Sequence, residues 1–196
     1  EYVKPLQTTP FIHYYSHRHI KKIYKKGNVI PFKNINESTN ICYVPTCFVG
    51  TEMYGPFRSY EDSDYLNWQH AIMNIDLRIT YKTHPSNNVN IGMEWLKGKS
   101  VETKRIQDCL ECYDVFIIDY ISSAITYVAA TDKLVLYFDL GLRNMDIKYM
   151  KILKERVFIY KIDIFGDLYA QINSALKCYN NMKINFKNSF ANRRVK

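Results

Sequence analysis

Two short runs constrain this chain more than any other feature: Asp114 to Ile118, reading Asp-Val-Phe-Ile-Ile, and Leu134 to Phe138, reading Leu-Val-Leu-Tyr-Phe. A strand with one wet face alternates apolar and polar residues with period two. A strand that is apolar at nearly every position has to be covered on both faces, the condition of a parallel sheet layered between helices. These runs therefore predict a parallel sheet with 114–118 as its central strand, flanked by 77–82 and 134–138 or their neighbours.

The rest of the chain fits that frame. Ile41 to Pro45, Leu77 to Lys82, Lys99 to Val101 and Val157 to Tyr160 read as four further strands. Between them, residues 60–75 read as a helix. Tyr65, Trp68, Ile72 and Ile75 recur at three- and four-residue spacing, and Glu61, Asp62 and Asp64 fall in the first turn, where the helix dipole favours acids. Glu102 to Cys112, Ser122 to Ala130, Asp146 to Glu155 and Asp163 to Cys178 also read as helices, and the basic tail 181–196 as a possible last one. Strands alternating with helices give the α/β class, and six strands suit a Rossmann-like doubly wound parallel sheet. A barrel would need eight strand–helix units and roughly 250 residues.

Residues 1–40 read differently. They carry Pro5, Pro10 and Pro31 and a short basic helix over His17 to Lys26 ended by Gly27, and are taken as a lead-in or inter-domain linker ahead of a domain over 41–196. The chain opens on Glu1, which points to a piece of a longer protein, and no signal peptide is visible. No run of about 18 apolar residues is present to span a bilayer. Five scattered cysteines, at 42, 47, 109, 112 and 178, do not form a disulfide framework and suggest a reducing, cytoplasmic setting. Cys109 and Cys112 make a lone C-x-x-C read as packing residues, so no metal site and no cofactor are expected. The 27 Lys and Arg outnumber the 19 Asp and Glu, for a net charge of +8, which points to solubility or to an anionic partner.

In open α/β sheets ligands sit outside the carboxyl ends of the strands, so the residues just after each strand matter most. Here they are Pro45 and Thr46; Lys82, Thr83, His84 and Pro85; Asp119, Tyr120, Ile121, Ser122 and Ser123; and Asp139 with Gly141 and Arg143. Ser122 and Ser123 are ordinary N-cap residues, but a helix start with small hydroxyl side chains also suits phosphate. Lys82 reads either as a phosphate ligand or as a strand-end residue reaching solvent. His84, Ser122 and Ser123 are expected to line one pocket. There is no Walker A loop, no G-x-G-x-x-G and no G-x-S-x-G, which disfavours ordinary NTPase, NAD-dependent and α/β-hydrolase chemistry.

The set Cys42-Tyr43-Val44-Pro45-Thr46, Lys82-Thr83-His84-Pro85 and Asp114 to Ser123, followed by Asp132 to Asp139, resembles the C-terminal half of bacterial CDP-glycerol glycerophosphotransferases, the teichoic-acid primases and polymerases. The resemblance covers 41 to about 145. It departs at Ile121, inserted before the serine pair, and at Leu134, where the family usually has Pro. It implies one half of a GT-B fold: the half that binds a CDP- or UDP-linked donor, in a transferase moving a polyol phosphate or a sugar into a surface polymer. His84 is then the catalytic group, and Lys82, Thr46, Asp119, Ser122 and Ser123 bind the nucleotide phosphates, Asp119 by fixing the turn through backbone N–H groups. Charge develops on the departing nucleotide phosphate, and hydrogen-bond donors aimed at it lower the barrier.

The family's N-terminal half supplies a His-Gly motif and the lipid-linked or polymer acceptor site. No His-Gly occurs among the five histidines, at 13, 17, 19, 70 and 84, so this chain alone is expected to bind nucleotide and be inactive. A sugar-nucleotide 2-epimerase-like protein and a noncatalytic nucleic-acid-binding module are the alternatives. The first lacks its Asp-Ser-Gly-Gly. The second would draw on 17 tyrosines that follow no recognition spacing, so nucleic acid is not the expected partner. The basic segments Arg18 to Lys26 and Lys187 to Lys196 suggest peripheral contact with the inner face of the cell membrane.

Overall fold

The computed structural model describes residues 29–45, 61–83, 93–142 and 147–187. In chain order its elements are β1 (Val29–Ile30), β2 (Ile41–Val44), α1 (Asp62–Met73), β3 (Ile79–Lys82), β4 (Ser100–Glu102), α2 (Ile106–Cys109), β5 (Val115–Ile118), α3 (Ser123–Ala129), β6 (Leu134–Asp139), α4 (Ile147–Arg156), β7 (Phe158–Lys161), α5 (Leu168–Met182) and β8 (Phe186–Lys187). Short 3-10 turns lie at Met93–Leu96 and Leu110–Cys112.

Six strands form one sheet in the order β4-β3-β2-β5-β6-β7, and every pairing is parallel. Helices cover both faces, so the doubly wound α/β class is as the apolar runs require. The strand order reverses between β2 and β5, which opens a crevice at their carboxyl ends. β5 is central, but its neighbours are β2 and β6; β3 lies one strand further out, beyond β2. The run 41–45 takes the inner place because Ile41 to Val44 pairs along its whole length with Val115 to Ile118.

Alternate residues of the strands feed two cores, as a pleated strand must. Ile41, Tyr43, Ile79, Tyr81, Val115, Ile117, Leu136 and Phe138 pack with Tyr65, Trp68 and Ile72 of α1 and with Ile172, Ala175 and Tyr179 of α5. Cys42, Phe116, Ile118, Val135 and Tyr137 pack with Ile125 and Val128 of α3 and Leu153 of α4. The helical stripe Tyr65, Trp68, Ile72 is buried as its spacing predicts. Trp68 meets Phe138 edge to face, ring centroids 5.4 Å apart.

Three elements differ from the sequence reading. The helix predicted over 102–112 shrinks to α2 and a 3-10 turn, because Val101 and Glu102 pair with Tyr81 and Lys82 and extend β4 to Glu102. α5 starts at Leu168, five residues later than predicted. Asp163 Oδ1 accepts the Phe165 amide and Asp163 O the Gly166 amide, folding 163–167 into a turn, and Asp167 Oδ1 then caps α5 through the Ala170 amide. At the other end α5 runs on to Met182. Lys183, with φ 46°, adopts the left-handed conformation that ends a helix, and β8 follows. The short helix read over His17 to Lys26 lies outside the described residues.

Residues 29–40, read from sequence as part of the lead-in, contribute Ile30 and Ile35 to the larger core. β1 pairs antiparallel with β8, Val29 opposite Lys187 and Ile30 opposite Phe186. Asn180 holds Ile35 by both its amide and its carbonyl, Asn185 Oδ1 accepts the Phe32 amide, and Tyr179 OH donates to Lys33 O. Among the described residues, no helix is long and apolar enough to cross a membrane.

At the amino-terminal edge of the sheet lies Arg156, the last residue of α4, with no exposed surface. Its guanidinium donates to the carbonyls of Ala129 (2.9 Å), Thr131 (3.0 Å) and Lys133 (2.6 Å), with a longer contact to Val128 O (3.4 Å). These are the orphan carbonyls at the end of α3 and the loop that leads into β6, so one cation closes the C-terminus of a neighbouring helix. Burial pushes the guanidinium down to about 9, against the opposing pull of Asp132.

Candidate functional site

The carboxyl ends of the strands carry the chemistry. β5 ends at Ile118, and the chain turns through Asp119 to Ser122 into α3. Ser122 is the N-cap: its backbone is extended, and its Oγ accepts the Ala124 amide at 3.3 Å. A serine does this well because its short side chain reaches back to the first-turn amides. Ser123 follows as the first helical residue and is exposed. Its carbonyl takes a hydrogen bond from Thr126 Oγ1.

Asp119 does something else. It has no exposed surface, and its Oδ2 accepts both Tyr43 OH (2.5 Å) and Trp68 Nε1 (3.0 Å). The carboxylate thus ties β2, α1 and the loop after β5 together beneath the crevice, through side chains rather than through the turn's backbone alone. Burial raises the Tyr43 phenol far above its usual range, and the neighbouring Asp119 charge adds to the shift. A second buried link sits beside it, Tyr81 OH donating to Gln69 Oε1 at 2.9 Å. Sequence reasoning missed Tyr43 and Trp68 as partners of Asp119. Both sit in apolar patterns that read as plain core, and only the polar tip of each ring gives it a further use.

Lys82 ends β3 on the face covered by α3. Its side chain does not reach solvent: only 4% of the residue is exposed. Nζ donates to Thr83 O at 2.6 Å, and among the described residues no carboxylate lies within ion-pair distance of it. Edge strand β4 pairs beside it, with Glu102 opposite Lys82 in register and the Thr83 amide donating to Glu102 O. The Lys82 charge pulls the thiols of Cys42 and Cys109 down, but burial outweighs it. The Cys109 thiol is pushed up to about 11 and that of Cys42 further. Both therefore remain protonated at neutral pH and act as packing groups, with Cys112 exposed beside them.

Lys82 and Ser122 follow strands separated by β2. At about 5 Å per strand, their backbones leave the sheet about 10 Å apart. Asp139 ends β6 at the same edge, where its Oδ1 accepts Tyr137 OH and the amide of Gly141, whose φ of 73° permits the tight turn. His84 and Thr46 lie outside the described residues, and so does the pocket expected to join His84 to Ser122. Among the described residues no three His, Cys, Asp or Glu side chains converge in a way that would hold a metal ion.

The arrangement offers a buried cation on one side of the crevice and a hydroxyl-lined helix start on the other, over a floor fixed by Asp119. It can hold an anion; it has no nucleophile activated by a base among the described residues. No protein-family model matches the chain, and no curated protein matches it.

Proposed function

We propose that this domain binds the diphosphate of a nucleotide-activated donor, CDP- or UDP-linked, at the crevice between β2 and β5. On this reading it is the donor half of a transferase that moves a polyol phosphate or a sugar into a surface polymer. The observation that carries the reading is Lys82. A buried ammonium with one carbonyl partner is costly to fold, because desolvation is repaid only by a counter-charge or by several hydrogen bonds. At the carboxyl edge of a parallel sheet, the site where such folds take ligands, an incoming diphosphate supplies that counter-charge. The resemblance of the Lys82–Pro85 and Asp114–Ser123 segments to glycerophosphotransferases supports the same chemistry, with Ser122 and Ser123 donating to the phosphate and His84 as the catalytic group.

Thermal shift tests it. CDP, UDP and pyrophosphate should each raise Tm, Lys82→Met should abolish the rise, and a single-stranded oligonucleotide should give none. A protein that gains nothing from these ligands, or gains as much with Lys82→Met, does not have this function. The basic segments Arg18–Lys26 and Lys187–Lys196 support, in addition, peripheral contact with anionic lipid, each nearby cation contributing on the order of 1 kcal/mol. Co-sedimentation with anionic vesicles should fall with salt; equal binding to neutral vesicles would count against it.

A further inference from the structure

The sheet ends at β7, and that edge is open along a hollow. Among the described strands β7 pairs with β6 alone. In a parallel ladder, alternate residues turn both backbone groups to the same neighbour. The Ile162 amide donates to Asp139 O, so Phe158 and Tyr160, in step with it, also face β6. Ile159 and Lys161 are left to point their N–H and C=O groups away from the sheet. Among the described residues no hydrogen bond reaches those groups. Beside them lies a hollow of about 560 Å³, lined by residues 157–160 of the strand, Lys154 and Glu155 of α4, Cys178 and Met182 of α5, and residues 184–186. Where Lys183 ends α5 in the left-handed conformation, Met182 stays 45% and Ile184 42% exposed. An unpaired strand edge with exposed apolar side chains along it is the form of a surface that takes up a further strand. Main-chain bonds then supply affinity, and alternate side chains supply specificity.

Charge says what that strand carries. Lys154 lines the hollow, Lys161 follows its floor, and Lys183 stands between Met182 and Ile184. All three are exposed, and among the described residues none has a carboxylate within ion-pair distance. Against them the lining holds one acid, Glu155. A lysine on an edge strand deters unplanned pairing, and here it also selects for an acidic partner. A second copy of the chain would bring the same cations face to face. The chain's own outlying segments suit the hollow no better. Residues 1–28 hold six Lys and Arg against Glu1 alone, and residues 188–196 hold three with no acid. The pleat sets the pattern. Phe158 and Tyr160 turn to the core beneath α5 and Ile159 to the core beneath α4. A strand added beside them sends alternate side chains toward Met182 and Ile184, and the others toward Lys154 and Lys161.

We propose that the β7 edge docks an extended segment of a partner protein in which apolar residues alternate with Asp or Glu. The segment joins the sheet as a further strand, its apolar side chains against Met182 and Ile184 and its carboxylates toward Lys154 and Lys161. This site is separate from the proposed diphosphate site and does not depend on it.

A short end-blocked peptide alternating Val and Asp tests the site, by calorimetric titration and amide hydrogen exchange on the full chain. The peptide should bind, and the Ile159 and Lys161 amides, quick to exchange in the free chain, should become protected. A peptide alternating Val and Lys should bind on the order of tenfold more weakly or worse. Met182→Asp and Lys161→Glu, both at exposed positions, should leave Tm unchanged and each weaken the Val-Asp peptide on the order of tenfold. Lys161→Glu should also narrow the preference over the Val-Lys peptide. No binding of the Val-Asp peptide at millimolar concentration overturns the proposal, and so does binding that neither substitution weakens. Amides already protected in the free chain would mean that the edge is occupied, by the chain itself if sedimentation finds a monomer and by a second copy if it finds a dimer. Either result overturns it.

Discussion

Two buried cations sit at opposite edges of one sheet, and they are treated differently. Arg156, at the amino-terminal edge, has no exposed surface and lays its guanidinium across the carbonyls of Ala129, Thr131 and Lys133. Lys82, at the carboxyl edge, is almost as deeply buried and has one hydrogen bond, to the carbonyl next along its own chain. Neither has a carboxylate within ion-pair distance among the described residues. The difference is how far the backbone has been arranged to solvate the charge. Where the loops of the fold do that work, the cation belongs to stability. Where they leave it undone, the cation keeps a poorly compensated charge, the feature on which the proposed diphosphate site rests.

The comparison predicts effects of opposite sign. Arg156→Leu should cost the most, about 3–5 kcal/mol of unfolding free energy, because two buried carbonyls and one half-buried one lose their donor together. Equilibrium denaturation reads this directly, and a loss below about 1 kcal/mol would mean that water replaces the guanidinium. Asp119→Ala comes next, at about 2–4 kcal/mol, since Tyr43 OH and Trp68 Nε1 are stranded in the core. It sharpens the contrast, for Asp119 lies at the same edge as Lys82 yet its Oδ2 accepts two buried hydrogen bonds. If its loss were as harmless as that of Lys82, location rather than hydrogen bonding would be the deciding factor. Lys82→Met should stabilise the unliganded protein by about 1 kcal/mol, by removing a poorly compensated buried charge, while weakening nucleotide diphosphate binding. A destabilised Lys82→Met would place Lys82 in the same class as Arg156.

The smallest effect concerns pH. The Cys109 thiol is raised from 9.0 to about 11 and the Tyr179 phenol from 10.0 to about 12, each chiefly by burial. Acids whose native values are raised give stability that is complete below their unfolded values and is lost as pH climbs toward the native ones. Denaturation midpoints should therefore decline between pH 9 and 12. Tyr179→Phe should flatten the upper part of that curve; an unchanged slope would remove Tyr179 from the balance.

The sheet was legible in the sequence because continuous apolar runs have few other places to go. The six strands and the face carried by Tyr65, Trp68 and Ile72 follow from local pattern alone. The ends of α2 and α5 do not, since they depend on pairing between β3 and β4 and on Gln171 reaching back eight residues to Asp163. The same holds for the site. The sequence marks Lys82 and Asp119 as polar groups at strand ends, but not that Lys82 is buried there. Asp119 finds its donor in Trp68, 51 residues away. Arg156 lies just past the helix read over Asp146 to Glu155 and carries no special pattern in the sequence. Nothing nearby reveals that its carbonyl partners belong to the preceding helix and loop.

The ribbon of β1 and β8 has a consequence in time as well as space. Ile35 is held by Asn180, a separation of 145 residues, and Val29 pairs with Lys187. Such distant partners are the slowest to meet in a folding chain, and during synthesis the early strand emerges long before the late one exists. The parallel sheet can assemble while residues 29–40 still wait, leaving Ile30 and Ile35 without their shelter. The clasp then closes last, once α5 and β8 have appeared, and a chain stalled or cut short of β8 would keep that apolar strap uncovered, as a handle for chaperones or a seed for aggregation.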